Sequence, residues 1–150
     1  IEISCSADSV GSFKARDIET APYPGFATDL QSPTSVLLSQ ATGTSRLHET
    51  IFEDRLEWMG ELRRMGAQVD LLDPHNASIK GPVKLHAADV AMGDLRAGAS
   101  LILAALAAEG TSTIHGAHHV RRGYENIEGK FLDLGAQIEH VSEEAGTTTP

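Results

Sequence analysis

An internal repeat dominates this sequence of 150 residues. Four short landmarks recur in one order, 65 to 69 residues further along the chain. The matched positions are Asp29 with Asp94, Gly43 with Gly110, Arg55 with Arg122, and Gly66 with Gly135. Because the order is kept and the spacing drifts only slowly, the chain contains two copies of one structural unit, separated by small loop insertions.

Each copy is predicted to place a helix before a strand. In the first copy, Ser32 is the expected N-cap and Pro33 the first helical residue. The corresponding helix of the second copy is expected over residues 95–108. It is apolar on nearly every side, so we expect it to be enclosed by the rest of the fold. The strands that follow are SRLHETI and STIHGAH.

A second helix and a second strand come next in each copy. Apolar residues recur there at three- and four-residue spacing, which is typical of an amphipathic helix. They are Leu56, Met59, Leu62 and Met65 in the first copy, and Tyr124, Ile127, Phe131 and Leu134 in the second. Gly66 and Gly135 then fit the left-handed position that ends a helix. The strands QVDLL and QIEHV are expected directly after these glycines.

The predicted fold class is α/β, with repeated β-α-β-α-β-β units in which helices are buried and sheets lie outside. Further strands near residues 77–80 and 88–92 complete this order. The units are expected at about 24–87 and 88–143, with a polar tail at 144–150. The chain opens on the strand-like string IEISCS without an initiator methionine, so we expect a piece of a longer chain.

Composition argues against several classes of function. A formal net charge of -9 disfavours a binder of nucleic acid or of an anionic membrane, because such footprints are built from clustered Lys and Arg. The longest apolar run, 97–108, is too short to cross a bilayer, and no signal sequence is apparent. The single cysteine, Cys5, cannot form an intrachain disulfide and is expected to be a small buried side chain in a reducing cytoplasm.

Four stretches carry a resemblance to a known family. TAPYPGFATDLQ, IFEDR, GDLRAGASL and RRGYENIEGKFLDLGAQIE resemble, in order and spacing, the C-terminal part of the UDP-N-acetylglucosamine 1-carboxyvinyltransferases. These are enolpyruvyl transferases of bacterial cell-wall synthesis, and the resemblance runs from about Ile1 to Glu143. The shikimate-pathway enolpyruvyl transferases share the fold, but the Pro-Tyr-Pro-Gly-Phe approach to Asp29 is similar to the aminosugar enzymes.

The resemblance implies an inside-out α/β barrel in two domains, each made of three such units, with the active site in the cleft between them. The chain would hold two units of one domain, and its partner would be the missing N-terminal domain. That domain would carry the family's catalytic cysteine and a phosphate-binding lysine, so the fragment alone should be inactive. The implied substrates are phosphoenolpyruvate and UDP-N-acetylglucosamine, in the bacterial cytoplasm and without a cofactor.

Asp29 matches the family aspartate that contacts the sugar 3-hydroxyl and is proposed as the base. A carboxylate with an ordinary pKa near ~4 is a weak base. It can therefore serve only if proton removal is coupled to bond formation, or if its pKa is raised. From the residues alone, the competing interpretation is a helix N-cap, since Asp29 precedes a helix.

The resemblance also assigns substrate contacts to Arg55, Arg96 and Arg122, which match arginines facing phosphoenolpyruvate. A guanidinium stays protonated and offers several donors to an anion, which suits this role. Taken singly, each would more often be a solvated surface arginine or a member of a salt bridge. Ile51 matches a position whose main chain lies beside the uridine nucleotide.

Glu53 and Asp94 lie within the same motifs and are interpreted as partners that hold the arginines, with plain surface charge as the alternative. Asp54 stands where the family usually has Asn, and Gly98 where Ser is common. His118 and His119 could suggest a metal, but on a strand neighbours face opposite sides and no third ligand is apparent. No metal site is therefore predicted. The alternative function is a non-catalytic nucleotide-sugar-binding or assembly module with the same fold.

Overall fold

The computed structural model of the protein describes residues 13–141. Strands and helices are interspersed along them, which confirms the predicted α/β class. The strands are β1 (Ile18–Glu19), β2 (Gly43–His48), β3 (Gln68–Asp73), β4 (Asn76–Gly81), β5 (Asp89–Ala91) and β6 (Thr113–His115). The helices are α1 (Gln31–Ser39), α2 (Met59–Arg64), α3 (Leu95–Ala107), α4 (His118–Arg121) and α5 (Ile127–Asp133). The predicted opening strand, Cys5 and the tail from residue 144 lie outside the described residues.

Both copies contain a parallel strand-helix-strand crossover. In the first, β1 pairs parallel with β2 and α1 connects them; in the second, β5 pairs parallel with β6 and α3 connects them. The first copy continues with the antiparallel pairs β2–β4 and β3–β4, which give a sheet in the order β1-β2-β4-β3. Helices α1 and α3 pack against each other. The two copies therefore meet through their equivalent crossover helices, and the proposed unit boundaries stay a prediction.

The core of the first copy lies where α1 and α2 cover one face of the four-stranded sheet. Along β2 and β4 the inward side chains alternate with exposed or half-buried ones, and Leu47 and Ile79 are almost fully buried. The predicted apolar face of α2 is confirmed, since Leu56, Met59, Leu62 and Met65 are each at most 2% exposed. Each of these side chains contributes roughly 1.5–3 kcal/mol through burial. This core fixes the end of the sheet from which the loop after β2 emerges.

Helices α2 and α5 end in the same way, as the glycines predicted. Gly66 and Gly135 adopt φ of 95° and 89°, in the left-handed region that glycine enters without a steric penalty. In both copies the next N–H, that of Ala67 or Ala136, returns to a carbonyl five residues earlier, which satisfies the end of the helix. The repeated Gly-Ala-Gln string is therefore a helix stop in both places.

The start of α1 differs from the prediction. A 3-10 turn, Thr28–Leu30, continues directly into the helix at Gln31, and no side chain caps either element. Ser32 lies inside the helix, where its hydroxyl donates to Oε1 of Gln31. The N-cap prediction for Ser32 and the first-position prediction for Pro33 are thus wrong, because Leu30 already has helical backbone angles. Pro33 is tolerated because it still lies in the first turn.

The second copy is less regular than the first. The strand predicted for QIEHV does not form: residues 136–141 are outside strands, and among the described residues no strand pairs with them as β4 pairs with β3. The predicted burial of α3 is only partly right, because Leu103 and Leu106 are 37% and 38% exposed. These side chains, with those of α5, leave an apolar face open on this side of the described chain.

A close approach between α3 and α4 predicts opposite effects of two glycine substitutions. A Cβ at Gly98 would lie 2.5 Å from Cγ2 of Val120, a stiff β-branched side chain, whereas a Cβ at Gly60 in α2 meets nothing within 4 Å. We expect Gly98→Ala to lower the free energy of unfolding by about 1–2 kcal/mol. Gly60→Ala should raise it by about 0.5–1 kcal/mol through helix propensity. Urea unfolding of the two variants of the complete protein checks this, and equal effects would contradict the close approach.

Candidate active site

Asp29 lies on the 3-10 turn that connects β1 to α1. Its carboxylate caps neither the turn nor the helix, which removes the N-cap interpretation. Instead, Oδ1 accepts hydrogen bonds from two arginines. Nη2 of Arg55 lies 3.1 Å away, and Nε of Arg96 is also in contact. One carboxylate therefore brings together two of the three arginines that the resemblance pointed to.

Arg55 is held in place from two sides. It lies in the turn after β2, and its guanidinium carbon sits 4.9 Å from the centre of the Phe52 ring, in cation-π geometry. Its side chain is only 16% exposed. The preceding residue, Asp54, has a φ of 56°. Asn and Asp enter this left-handed region more readily than other non-glycine residues, so Asp54 fits this backbone conformation.

Arg96 is placed by the start of α3. Asp94 is the N-cap of that helix, and its Oδ1 accepts from the backbone N–H of Arg96 at 2.7 Å and of Ala97 at 3.0 Å. This bond fixes the first turn from which the Arg96 side chain reaches Asp29. Asp94 therefore holds Arg96 through its backbone N–H. The sequence had suggested a partner of the arginine side chain instead.

Other predicted site residues take different positions. Glu53 lies 3.9 Å from Nε2 of His75, and not beside an arginine. Ile51 is at the same loop as Arg55, and its backbone N–H donates to a buried carboxylate, that of Glu49. Arg122 follows α4 and is exposed, and among the described residues none forms an ion pair with it. The structure thus joins Asp29, Arg55 and Arg96 and leaves Arg122 outside this contact.

The charge arrangement lowers the pKa of the Asp29 carboxyl below its ordinary value. The main cause is the hydrogen bond from the Arg96 side chain, and desolvation, the second-largest effect, opposes it. The charge of Arg96 and the hydrogen bond and charge of Arg55 act in the same direction as the main cause. Asp29 is therefore ionised at neutral pH in this state, and both guanidinium groups are held at one point.

Asp29, Arg55 and Arg96 keep hydrogen-bonding groups that a ligand could use. Both arginines bind Oδ1, and among the described residues none donates a hydrogen bond to Oδ2. A guanidinium has five N–H donors, and Asp29 engages only a part of them. The site can therefore accept a proton or hydroxyl at Oδ2 and bind an anion with the remaining donors.

Sequence reasoning missed Glu49. It follows β2 directly, is fully buried, and accepts hydrogen bonds from Thr20, Thr28, Ile51 and Phe52. In the predicted strand SRLHETI, Glu49 comes two residues after Leu47 and therefore shares its face, which was the available signal. A groove of about 310 Å³ extends from Asp29 and Arg96 along the apolar faces of α3 and α5.

His118 and His119 lie on the short helix α4, not on a strand, so the prediction about their geometry is wrong. Their ring centroids are 4.1 Å apart. Among residues 13–141 no cluster of three His, Cys, Asp or Glu side chains forms a metal-binding group. Within the same part of the chain, no helix has the length and apolar character needed to cross a membrane.

The α/β fold and the pairing of one carboxylate with two arginines agree with the class of protein that the four sequence stretches resemble, the carboxyvinyltransferases. The family model described as EPSP synthase (3-phosphoshikimate 1-carboxyvinyltransferase) matches residues 4–131. The chain belongs to this family.

Relatives and one solved structure agree with this assignment. The chain is 51% identical over 126 residues to UDP-N-acetylglucosamine 1-carboxyvinyltransferase 3 of Symbiobacterium thermophilum, which covers 84% of the chain. It is 53% identical over 128 residues to UDP-N-acetylglucosamine 1-carboxyvinyltransferase of Halothermothrix orenii, covering 85% of the chain. It spans 30% of the length of each. The enolpyruvyl transferase NikO from Streptomyces tendae is 31% identical, with a TM-score of 0.80 over 87% of this chain and 30% of that one. The predicted enolpyruvyl transferase fold is confirmed.

The charge cluster predicts a titration experiment. Arg96→Gln removes the main cause of the lowered pKa of Asp29, so this pKa should rise toward its ordinary value. Arg121→Gln is the control, because Arg121 pairs with Glu128 and not with Asp29. Carboxyl carbon NMR of the complete protein, with Asp29→Asn to assign the signal, measures the shift. An unchanged pKa in Arg96→Gln would contradict the pairing.

The lowered pKa of Asp29 also determines how the stability of the fold depends on pH. Because the pKa of Asp29 is lower in the folded than in the unfolded protein, the pairing stabilises the fold above the unfolded pKa. This contribution is lost as the pH falls through the folded pKa.

Proposed function

We propose that the complete enzyme containing this chain transfers the enolpyruvyl group of phosphoenolpyruvate to the 3-hydroxyl of UDP-N-acetylglucosamine and releases phosphate. This reaction would supply a peptidoglycan precursor in the bacterial cytoplasm. The observation that carries the proposal is the contact of Arg55 and Arg96 with a single oxygen of Asp29. The names of relatives above 50% identity over most of the chain support the choice of substrate.

Asp29 is the proposed base. Oδ2 of Asp29 takes the proton of the sugar hydroxyl. At the same time the hydroxyl oxygen forms a bond to the carbon of phosphoenolpyruvate that carries the phosphate. In the unliganded state the pKa of Asp29 is lowered, so a strong free base is not available. An anion bound to Arg55 and Arg96 competes for their positive charge, which raises the basicity of Asp29 when both substrates are present. Proton removal is then coupled to formation of the carbon-oxygen bond.

Arg55 and Arg96 are the proposed anion ligands for phosphoenolpyruvate. Guanidinium groups bind carboxylate and phosphate through paired N–H donors, and charge-assisted hydrogen bonds are stronger than neutral ones. Arg122 is proposed as a third ligand on the basis of the resemblance alone. The Ile51 main chain is proposed to lie beside the uridine nucleotide. The methylene carbon must gain a proton as the carbon-oxygen bond forms and lose one again as phosphate leaves, which restores the double bond. The proton donor is assigned to the N-terminal domain that completes the cleft.

Removal of the base tests the reaction. Asp29→Asn in the complete enzyme keeps the shape of the side chain but cannot accept the hydroxyl proton. We expect phosphate release from phosphoenolpyruvate and UDP-N-acetylglucosamine to fall by at least about 100-fold, in line with typical losses for a general base. Asp70→Asn on the exposed side of β3 serves as a surface control. Normal turnover of Asp29→Asn would remove Asp29 from catalysis.

A second experiment separates the transferase from a binding module. Titration calorimetry of this chain alone with UDP-N-acetylglucosamine is expected to show no binding at millimolar ligand, because half of a cleft leaves the ligand mostly solvated. Circular dichroism at 222 nm checks that the isolated chain is folded during the titration. Micromolar binding by the folded chain would favour the non-catalytic nucleotide-sugar-binding module instead.

A further inference from the structure

Glu49 is a buried carboxylate to which the proposed reaction assigns no role. It lies one residue past the end of β2, and none of its surface is exposed. Oε1 accepts from the Thr20 hydroxyl at 2.9 Å and from the backbone N–H groups of Ile51 and Phe52 at 2.9 and 3.3 Å. Oε2 accepts from the Thr28 hydroxyl at 2.8 Å.

The partners of Glu49 are neutral, which distinguishes it from Asp29. Among the described residues, no Lys, Arg or His side chain forms an ion pair with Glu49. A buried carboxylate without a cation is costly unless several donors replace the water it has lost. Four neutral donors meet this requirement here. All four partner groups must therefore keep their positions for the carboxylate to remain stable in this place.

These donors come from three separate segments around the candidate site. Thr20 follows β1, and Thr28 opens the 3-10 turn that carries Asp29. Ile51 and Phe52 lie in the loop after β2, where the Phe52 ring supports the Arg55 guanidinium. The backbone of Glu49 is fixed as well, since its N–H donates to the carbonyl of His75 at 2.7 Å. Glu49 thus connects the turn of the proposed base with the loop of a proposed anion ligand.

We propose that Glu49 is a positioning residue that fixes Asp29 and the main chain of Ile51 relative to each other. Its link to Asp29 runs through the Thr28 hydroxyl, and its link to Ile51 is direct. This inference deepens the proposed function and rests on it for the catalytic consequence. The structural consequence, a fixed Asp29 carboxylate between two arginines, does not depend on the substrate.

Thr28→Val tests the link with little change of shape. Valine keeps both branches of the side chain but cannot donate to Glu49, so the turn that carries Asp29 loses its anchor. Thr28→Ser keeps the hydroxyl and is the rescue variant. Ser39→Ala is the stability control, because Ser39 is also fully buried and its hydroxyl contacts only its own region, donating to the backbone of Val36 and accepting from Nε2 of Gln40.

We expect Thr28→Val in the complete enzyme to lower kcat about 10- to 100-fold, the size of effect that a small misplacement of a catalytic group produces. The KM for phosphoenolpyruvate should change less than about threefold, since both arginines remain. Thr28→Ser and Ser39→Ala should keep kcat within about threefold of the parent. The proposal is overturned if Thr28→Val keeps its kcat, or if kcat falls in all three variants in proportion to their loss of stability.

A readout without substrate separates this inference from the proposed function. Carboxyl carbon NMR of the complete protein reports the pKa of Asp29 in each variant. We expect it to move toward its ordinary value in Thr28→Val and to stay low in Thr28→Ser. If the parent enzyme releases no phosphate from the two substrates, the proposed function fails and this titration alone decides the positioning role. An Asp29 pKa that is equal in Thr28→Val and Thr28→Ser would then overturn it.

Discussion

The contact of Asp29 with Arg55 and Arg96 is the interaction on which the functional interpretation of this chain depends. Asp29 and Arg55 belong to the first copy of the repeat, and Arg96 belongs to the second. The three side chains can meet only because α1 and α3 pack against each other. A structural duplication has therefore become a single site, in which one carboxylate holds two cations from different copies.

The two copies use equivalent residues for different purposes. Asp29 and Asp94 occupy the same place in the repeat, yet Asp94 caps α3 whereas Asp29 caps nothing and binds arginines. The difference lies in the backbone. Asp94 is extended directly before its helix, while Asp29 sits inside a 3-10 turn that runs into α1. Because the Asp29 carboxylate accepts no hydrogen bond from the N–H groups of its own helix, its oxygens can bind other groups.

Two further side chains, Glu49 and Phe52, hold the segments that carry the site residues. Glu49 binds the turn of Asp29 and the loop of Ile51 through neutral donors, and Phe52 supports Arg55. Such contacts restrict side-chain motion before any substrate arrives, which reduces the ordering cost of binding. The open apolar face formed by α3 and α5 is continuous with this site.

Local patterns in the sequence determined the repeated helices, the strands other than the one predicted at residues 137–141, the buried face of α2, and the glycine stops at Gly66 and Gly135, since these depend mainly on contacts between near neighbours. Local patterns could not predict the start of α1, the missing strand at residues 137–141 or the open face of α3. Each of these depends on which other segments of the fold pair with it or pack against it. The resemblance of the sequence motifs to a known family also indicated Asp29, Arg55 and Arg96. Only the tertiary structure decided that these three meet while Arg122 stays apart, because the distance between residues tens of positions apart is set by helix packing.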